Sequence, residues 1–155
     1  MILQPQEMID FGLKISADDI ELENSIFDAE NFYVKSVIGN NHYISLQGEL
    51  DPTTKAYVLV NGGTWNGLCF AGLKRAIANI AYAFLLRENV NATRFGSIRK
   101  YDENSSNIDE NLLYNAAKHH FTIGKAYLTE ITQELDGCDW KKANGCQFDE
   151  FNNLI

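Results

Sequence analysis

The sequence has few of the residues that would reveal its chemistry at once. Its 155 residues include only two prolines and three cysteines, and the cysteine spacing matches no disulfide framework. The longest apolar run, around residues 77–86, is far shorter than the roughly 18 residues that a membrane span needs. No charged and then apolar segment of the kind found in signal peptides opens the chain. We therefore expect a soluble protein of a reducing compartment, without disulfides or a membrane span.

Catalytic and metal-binding motifs are also lacking. The glycine-rich stretch NGGTWNG lacks the Lys-Ser/Thr pair of a phosphate loop and predicts turns instead, and no nucleophile elbow G-x-S-x-G occurs. His119 and His120 are adjacent, so on a helix they point in different directions and do not form a metal-ligand pair. Cys138 and Cys146 have no second pair and are predicted to be free thiols, as is Cys69. We predict a protein that is not an enzyme and has no cofactor or metal.

Charge is scarce in one sign and segregated along the chain. The net charge is -8, which argues against a protein that grips nucleic acid with its whole surface. Residues 74–100 nevertheless carry six bases and one acid, whereas residues 18–30 carry six acids and no base. Such runs are often solvated faces, and they can also be complementary patches that meet between copies or partners. Both interpretations remain open at this point.

Apolar periodicity predicts a mostly helical protein. Ser16, with Asp19 three residues later, resembles a capping box, and a stripe then continues to a stop at Gly39; the stripe is Leu22, Ile26, Ala29, Tyr33 and Val37. The stretch TTKAYVLV, behind Asp51 as cap and Pro52, predicts a short second helix, with a strand as the alternative.

Two further helices are predicted in the second half of the chain. An alanine-rich helix is expected from about Cys69 to Asn89. The longest helix is expected from about Ile108, capped by Asn107, to Leu135, with a stripe formed by Leu112, Ala116, Ile123, Tyr127, Ile131 and Leu135. The predicted fold is therefore all-α: a small bundle of about four helices with a long extended loop or hairpin arm and extended termini.

The predicted organisation is one domain with an excursion in its middle. Residues 1–15 read as an arm or short docking segment, residues 16–136 as the helical domain, and residues 137–155 as a docking tail with isolated aromatics. The excursion, residues 88–107, has too few apolar positions for a core element, and long loops in compact domains are usually functional or disordered. We predict a projecting hairpin or extended arm that lies on another polypeptide.

Several stretches, taken together in order, resemble a known family. They are the pair Gly62-Gly63, the Gly72-Leu73-Lys74 turn, the segment NATRFG at residues 91–96 with Arg99-Lys100 after it, and Gly124-x-x-Tyr127-Leu128. In this order they resemble the head-tail connector (adaptor) proteins of tailed bacteriophages, particularly those of phages that infect gut Bacteroidales, including the crAss-like group. The likeness covers roughly residues 16–136.

The resemblance implies a structural role in the virion. Proteins of this kind form a homo-oligomeric ring, commonly of twelve copies, which binds the portal protein, meets tail or second connector proteins, and lies at the head-tail junction after assembly in the bacterial cytoplasm. DNA would pass through the lumen without sequence-specific binding. An acidic lumen would repel phosphate and let the genome slide, which suits the net charge of -8. No membrane is involved.

The partner interface is predicted at two places. One is the basic, partly apolar strip Arg94, Phe95, Ile98, Arg99, Lys100 and Tyr101, and the other is the acidic helix start Asp18, Asp19, Glu21 and Glu23. In a ring, one patch meets a different patch on the next copy, and separate patches of opposite sign suit that arrangement. The alternative function is a small helical binding or regulatory module acting on a host or phage protein, with the acidic helix as its interaction face.

Overall fold

The chain is mostly helical, which agrees with the predicted fold class at that coarse level. The computed structural model describes residues 1–15, 19–94 and 110–135. In chain order the described elements are α1 (Pro5–Asp10), α2 (Asp19–Asp28), a π-helical segment (Ala29–Val34), α3 (Lys35–Ile38), α4 (Asn40–Leu46), α5 (Lys55–Asn61), β1 (Gly63–Trp65), β2 (Leu68–Phe70), α6 (Leu73–Arg94) and α7 (Glu110–Glu134).

The predicted first helix is present and is interrupted only by a change of pitch. Helix α2, the π-helical segment and α3 follow one another without a break, and the helix ends at Gly39 as expected. The five stripe residues predicted for this helix are all buried. The π-helical segment was not predicted, because a wider turn leaves no mark in the spacing of the apolar residues. Ser16, the predicted cap, and Asp18 lie outside the described residues.

The first fifteen residues dock on the rest of their own chain. They contain the short helix α1, with Pro5 as its first residue. Ile2, Leu3 and Met8 are buried in the same core as the longer helices. The expected arm or docking segment therefore has its docking site within the same molecule. A six-residue helix is marginal alone, so these tertiary contacts hold it in place.

The short helix predicted after Pro52 is confirmed, but it starts later. Helix α5 begins at Lys55, and its cap is Thr54, whose hydroxyl oxygen accepts a hydrogen bond from the backbone N–H of Tyr57 at 3.3 Å. The carboxylate of Asp51 instead accepts from the backbone N–H and the hydroxyl of Thr53, at 2.8 and 2.7 Å. Asp51 therefore shapes the turn before the helix. The prediction of Asp51 as cap was wrong, because the cap is Thr54, three residues later.

The stretch NGGTWNG forms a β-hairpin as well as turns. Strands β1 and β2 pair antiparallel with Trp65 opposite Leu68, which leaves Asn66 and Gly67 as a two-residue connection. Both have positive φ, 48° and 80°, as the tight hairpin turn favoured by Asn-Gly requires. Cys69 lies in β2, so the predicted helix start at Cys69 was wrong. Helix α6 begins four residues later, at Leu73.

The predicted projecting loop at residues 88–107 begins too early. Helix α6 continues through the first part of this stretch and ends at Arg94. Asn and β-branched residues there have poor helix propensity, but a helix already formed propagates at little cost, and that effect prevails. The prediction of a loop at residues 88–94 was therefore wrong. Residues 95–109 lie outside the described part of the chain.

Helix α7 is present, but its buried face differs from the predicted one. Of the predicted stripe only Ile131 is buried, and Leu112 is 67% exposed. The buried face is formed by Ala117, Phe121, Gly124, Leu128, Ile131 and Thr132. The prediction selected a neighbouring stripe of the helix, whereas the buried face combines large residues such as Phe121 and Leu128 with small ones such as Ala117 and Gly124. The predicted cap Asn107 and terminator Gly137 lie outside the described residues.

The core is organised around α6, which packs against α2, α5 and α7. Its residues 76–78, 80 and 81 are buried, so most of the helix circumference is covered there, while Arg75 is exposed and Asn79 is partly exposed. Gly124 of α7 meets this helix closely: a Cβ at that position would lie 2.7 Å from Ile80 Cγ1 and 2.9 Å from the Ala76 carbonyl oxygen. The absence of a side chain at Gly124 thus fixes the distance between the two longest helices.

Candidate interaction surface

The structure describes only part of the predicted interface. Glu21 and Glu23 lie exposed on α2, and Asp19 is its first residue. Arg94 is the last residue of α6. Outside the described residues lie Asp18, Phe95, Ile98, Arg99, Lys100 and Tyr101. The basic strip therefore stays a prediction.

Helix α2 presents an outward face that mixes apolar and acidic residues. Ile20, Glu23, Asn24 and Phe27 follow one another at helical spacing on the side opposite the buried Leu22 and Ile26; we call these four residues the outer face of α2. Ile20 is 70% exposed and Phe27 is 54% exposed. Two large apolar side chains on one solvent-facing helix surface are typical of a protein contact when polar residues flank them.

Part of the basic segment is used inside the molecule. Lys74 Nζ lies 2.6 Å from Glu7 Oε1 of α1. The guanidinium of Arg75 lies over the ring of Phe11, 5.0 Å from its centroid. Both residues tie α6 to the N-terminal segment. The basic character of residues 74–100 is therefore not one continuous patch for a partner.

The acidic helix likewise faces carboxylate neighbours of its own chain. Glu88 of α6 is partly desolvated, and this effect together with the nearby carboxylates of Asp28 and Glu21 raises its pKa, while Arg87 opposes the rise. Desolvation also raises the pKa of Asp28. These groups lie along the flank of α2 that faces α6. Of the predicted acidic patch, Glu21 therefore lies on this flank and Glu23 lies on the outer face of α2.

One carboxylate of the acidic segment is not at the surface at all. Glu30 is fully buried in the π-helical segment, and its Oε1 accepts hydrogen bonds from the backbone N–H groups of Ile2 at 2.8 Å and Leu3 at 3.1 Å. Its Oε2 accepts from the hydroxyl of Tyr43. Glu30 therefore fastens both the N-terminal segment and α4 to the first long helix. Its sequence signal was its position four residues after Ile26, on the predicted buried face.

The hydroxyl of Tyr43, which donates to Glu30, is buried and has a shifted pKa. The side chain is buried, and its hydroxyl also accepts a hydrogen bond from Gln47 Nε2 at 3.0 Å. Burial, and then the hydrogen bond to Glu30 and its negative charge, raise the pKa of Tyr43 above its ordinary range. The tyrosine hydroxyl is held as a donor to the carboxylate. The arrangement is a structural anchor between α4 and the first long helix.

A cleft of about 270 Å³ opens beside this anchor, between the N-terminal segment, α4, α5 and the start of α6. It is lined by apolar side chains and by Gln4, Gln47, Tyr57, Asn61 and the Lys74–Glu7 ion pair. Glu7 also accepts a hydrogen bond from the backbone N–H of Gln4 at 2.9 Å, so its carboxylate is engaged on both oxygens. The two charged groups that line the cleft, Lys74 and Glu7, are thus paired with each other, as expected where α6 packs against the N-terminal segment.

The two adjacent histidines have different surroundings. His120 is partly buried, its Nδ1 lies 2.9 Å from Asn79 Oδ1, and its ring packs edge-on against Tyr82. Desolvation and the neighbouring His119 lower its pKa. His119 is exposed. Within residues 1–15, 19–94 and 110–135, no group of three or more His, Cys, Asp or Glu side chains is arranged to hold a metal ion.

No protein-family model, curated protein sequence or solved structure matches this chain. Among the described helices, none combines the length and the apolar character that crossing a membrane would require.

Proposed function

We propose that the protein is a structural subunit of a phage head-tail connector ring. In this role it binds the portal, joins the capsid to the tail, and helps to retain the packaged DNA. The ring contains twelve copies in the virion, meets a tail or second connector protein, and lets DNA pass through its lumen. The proposal assigns the chain no catalytic role and places it at the head-tail junction.

The observation that carries this proposal is the outer face of α2. A subunit that functions inside an assembly needs surfaces that are stable in water alone and apolar enough to be buried later. Ile20 and Phe27, exposed beside Glu23, meet both needs. Apolar groups supply contact area, and the charge selects the orientation of the partner.

Two of the glycines named in the resemblance, Gly72 and Gly124, allow neighbouring helices to approach closely, which suits a rigid subunit. Gly72 has a φ of 93°, and a Cβ there would lie 2.4 Å from the backbone nitrogen of Gly62. The end of α5 and the start of α6 can therefore cross only with glycine at Gly72. Gly124 sets the contact between α6 and α7. We propose that the first long helix, α5, α6 and α7 are the four main helices of the predicted bundle.

The basic strip is proposed as the second contact. Arg94 ends α6, and the residues that follow it combine cationic and large apolar side chains. We propose that Phe95, Arg99 and their neighbours through Tyr101 bind the portal or an adjacent subunit. Replacing Phe95 and Arg99 together by alanine should weaken assembly and leave the helical circular dichroism signal unchanged. Unchanged assembly would contradict this part of the proposal.

Mass measurement with the portal tests the function directly. The purified chain is mixed with portal rings of the phage that encodes it, and native mass spectrometry counts the copies bound to each ring. A connector joins the portal in a fixed number, and electron microscopy then shows a second ring stacked on the first. A chain that stays separate from the portal at micromolar concentration would overturn the proposal.

The second candidate is a small helical binding module that acts on a host or phage protein. The same outer face of α2 favours it, because a single exposed helix face is a common way to occupy a groove on a partner. The portal experiment separates the two functions. Such a module would remain unbound to the portal and would instead bind one protein in a one-to-one complex.

A further inference from the structure

The described part of the chain contains a second outward helix face whose charge is opposite to that of α2. On α7, Leu112, Asn115, Lys118 and Thr122 are all exposed at helical spacing; we call them the outer face of α7. Leu112 is 67% exposed. From residue 111 to residue 129 the sequence contains lysines and histidines and no acidic residue. This surface is basic and carries an apolar side chain, and it mirrors the composition of the outer face of α2.

From these two faces we infer that the outer face of α2 in one copy docks on the outer face of α7 in the next copy. The contact would bring Glu23 near Lys118 and would cover Ile20 and Phe27 with Leu112. This inference rests on the proposed ring, because it names the surfaces through which neighbouring copies meet. It uses residues other than the basic strip that follows Arg94.

Charge decides which pairing of faces is favourable. Two copies joined through α2 on both sides would bring acidic residues together, because residues 19–30 contain no base. Two copies joined through α7 would bring Lys118 against its counterpart. Only the pairing of α2 with α7 places opposite charges together, and like-charge contacts are strongly disfavoured.

The positions of the two helices allow this contact to repeat. Both α2 and α7 pack on the central helix α6, and each turns its buried stripe inward and its outer face to solvent. A contact between two different surfaces leaves one of each free on every dimer, so that further copies can add. Such contacts close into rings when the rotation between copies permits it.

Charge reversal tests the contact with the full chain. We would compare Glu23→Lys, Lys118→Glu and the double variant, together with Glu49→Lys as control, since Glu49 is exposed in the connection between α4 and α5. Self-association is measured by sedimentation equilibrium in low and high salt, and copy number on portal rings by native mass spectrometry. Circular dichroism verifies that each variant keeps its helices.

Each single reversal is expected to weaken association about tenfold, while Glu49→Lys leaves it within about twofold. The double variant restores association to within about threefold of the original, because the opposite charges again face each other across the contact. High salt reduces the difference between the single variants and the original chain. Single variants that match the Glu49→Lys control, or a double variant no better than the single ones, would overturn the inference.

The same measurements distinguish this inference from the proposed function. If the chain binds the portal in a fixed number and none of the three variants changes that number, the connector function stands and the α2–α7 contact is overturned. Charge-dependent self-association without portal binding supports the contact and overturns the connector. A chain that associates neither with itself nor with the portal overturns both.

Discussion

The long helix from Asp19 to Ile38 has a glutamate on its inward face and a glutamate on its outward face, and the two have opposite surroundings. On the inward face, the carboxylate of Glu30 is fully buried and accepts hydrogen bonds from the N-terminal backbone and from Tyr43. On the outward face, Glu23 is exposed between two apolar side chains. Buried charge is costly and persists only where partners compensate it, and for Glu30 the backbone N–H groups of Ile2 and Leu3 and the hydroxyl of Tyr43 provide that compensation. Exposed charge costs little and remains available to a partner.

The largest expected effect comes from replacing the buried carboxylate. Glu30→Ala leaves the backbone N–H groups of Ile2 and Leu3 and the hydroxyl of Tyr43 without their acceptor and opens a cavity. We expect a loss of about 3–5 kcal/mol in the free energy of unfolding. Urea denaturation followed by circular dichroism measures it. Glu30→Gln keeps the volume and one acceptor oxygen, so its free energy of unfolding should lie between those of the original chain and Glu30→Ala.

The outward carboxylate is the matched control for this comparison. Glu23→Ala removes the same group from the opposite face of the same helix, and we expect a change within about 0.5 kcal/mol, as for most surface substitutions. Equal losses for Glu23→Ala and Glu30→Ala would show that the two faces do not differ as described.

The hydroxyl of Tyr43 sharpens the comparison through its pH dependence. Tyr43→Phe removes one donor to the buried carboxylate, and we expect a loss of about 1.5–3 kcal/mol near neutral pH. The folded pKa lies above the ordinary value of 10.0, so the native state holds the proton more tightly than the unfolded chain. Stability is therefore fully present below about pH 10 and falls as the pH rises further.

Unfolding midpoints measured between about pH 8 and pH 11 test this sign, with the range set by the ordinary tyrosine pKa. The original chain should lose stability above pH 10 more steeply than Tyr43→Phe. Parallel curves for the two proteins would contradict the role assigned to this hydroxyl.

On α7 the inward face can be tested at the glycine. Gly124→Ala places a Cβ 2.7 Å from Ile80 Cγ1 and 2.9 Å from the Ala76 carbonyl oxygen, so α6 and α7 must move apart. We expect a net loss of about 1–2 kcal/mol, because overpacking exceeds the gain in helix propensity. Thermal unfolding measures the loss.

The control lies two residues away on the outward side of the same helix. Ala126→Gly reverses the propensity change at an exposed position and should cost about 1 kcal/mol without altering the contact between helices. A stabilised Gly124→Ala variant would mean that the close approach is not required.

The smallest effect is expected at His120. Its pKa is lowered in the folded state, so the stability that it contributes is present above about pH 6.5 and is lost as the pH falls through the folded value. His120→Gln should flatten the change in urea midpoint between neutral pH and about pH 5 by roughly a few tenths of a kcal/mol, since solvent screens a partly exposed group. His119→Gln removes the neighbouring imidazole but leaves His120 buried, so it should flatten that change less than His120→Gln does, because burial is the larger cause of the lowered pKa.

The sequence predicted helices wherever large apolar residues recur at helical spacing. The stripe from Leu22 to Val37 is buried as expected, and α5 ends before Gly62 as predicted, although its cap is Thr54 and not Asp51. The prediction was wrong on α7, where it missed the buried Phe121 and Leu128 together with the small Ala117 and Gly124 on the same face. It was also wrong in ending the helix near Asn89, since α6 continues to Arg94. Local propensity does not register the support that an established helix gives to its next turn.

For the interaction surface, the sequence alone determined the charge of each segment and the exposure expected of an acidic helix. The prediction did not separate Glu30 from its acidic neighbours, although its position four residues after Ile26 lies on the predicted buried face. Nor could local sequence show that Lys74 and Arg75 bind the N-terminal segment. Those assignments depend on which residues distant in sequence come together. Composition and periodicity are local properties that can be read directly from the order of the residues. Burial and pairing arise only when the helices pack, so the tertiary structure alone decides them.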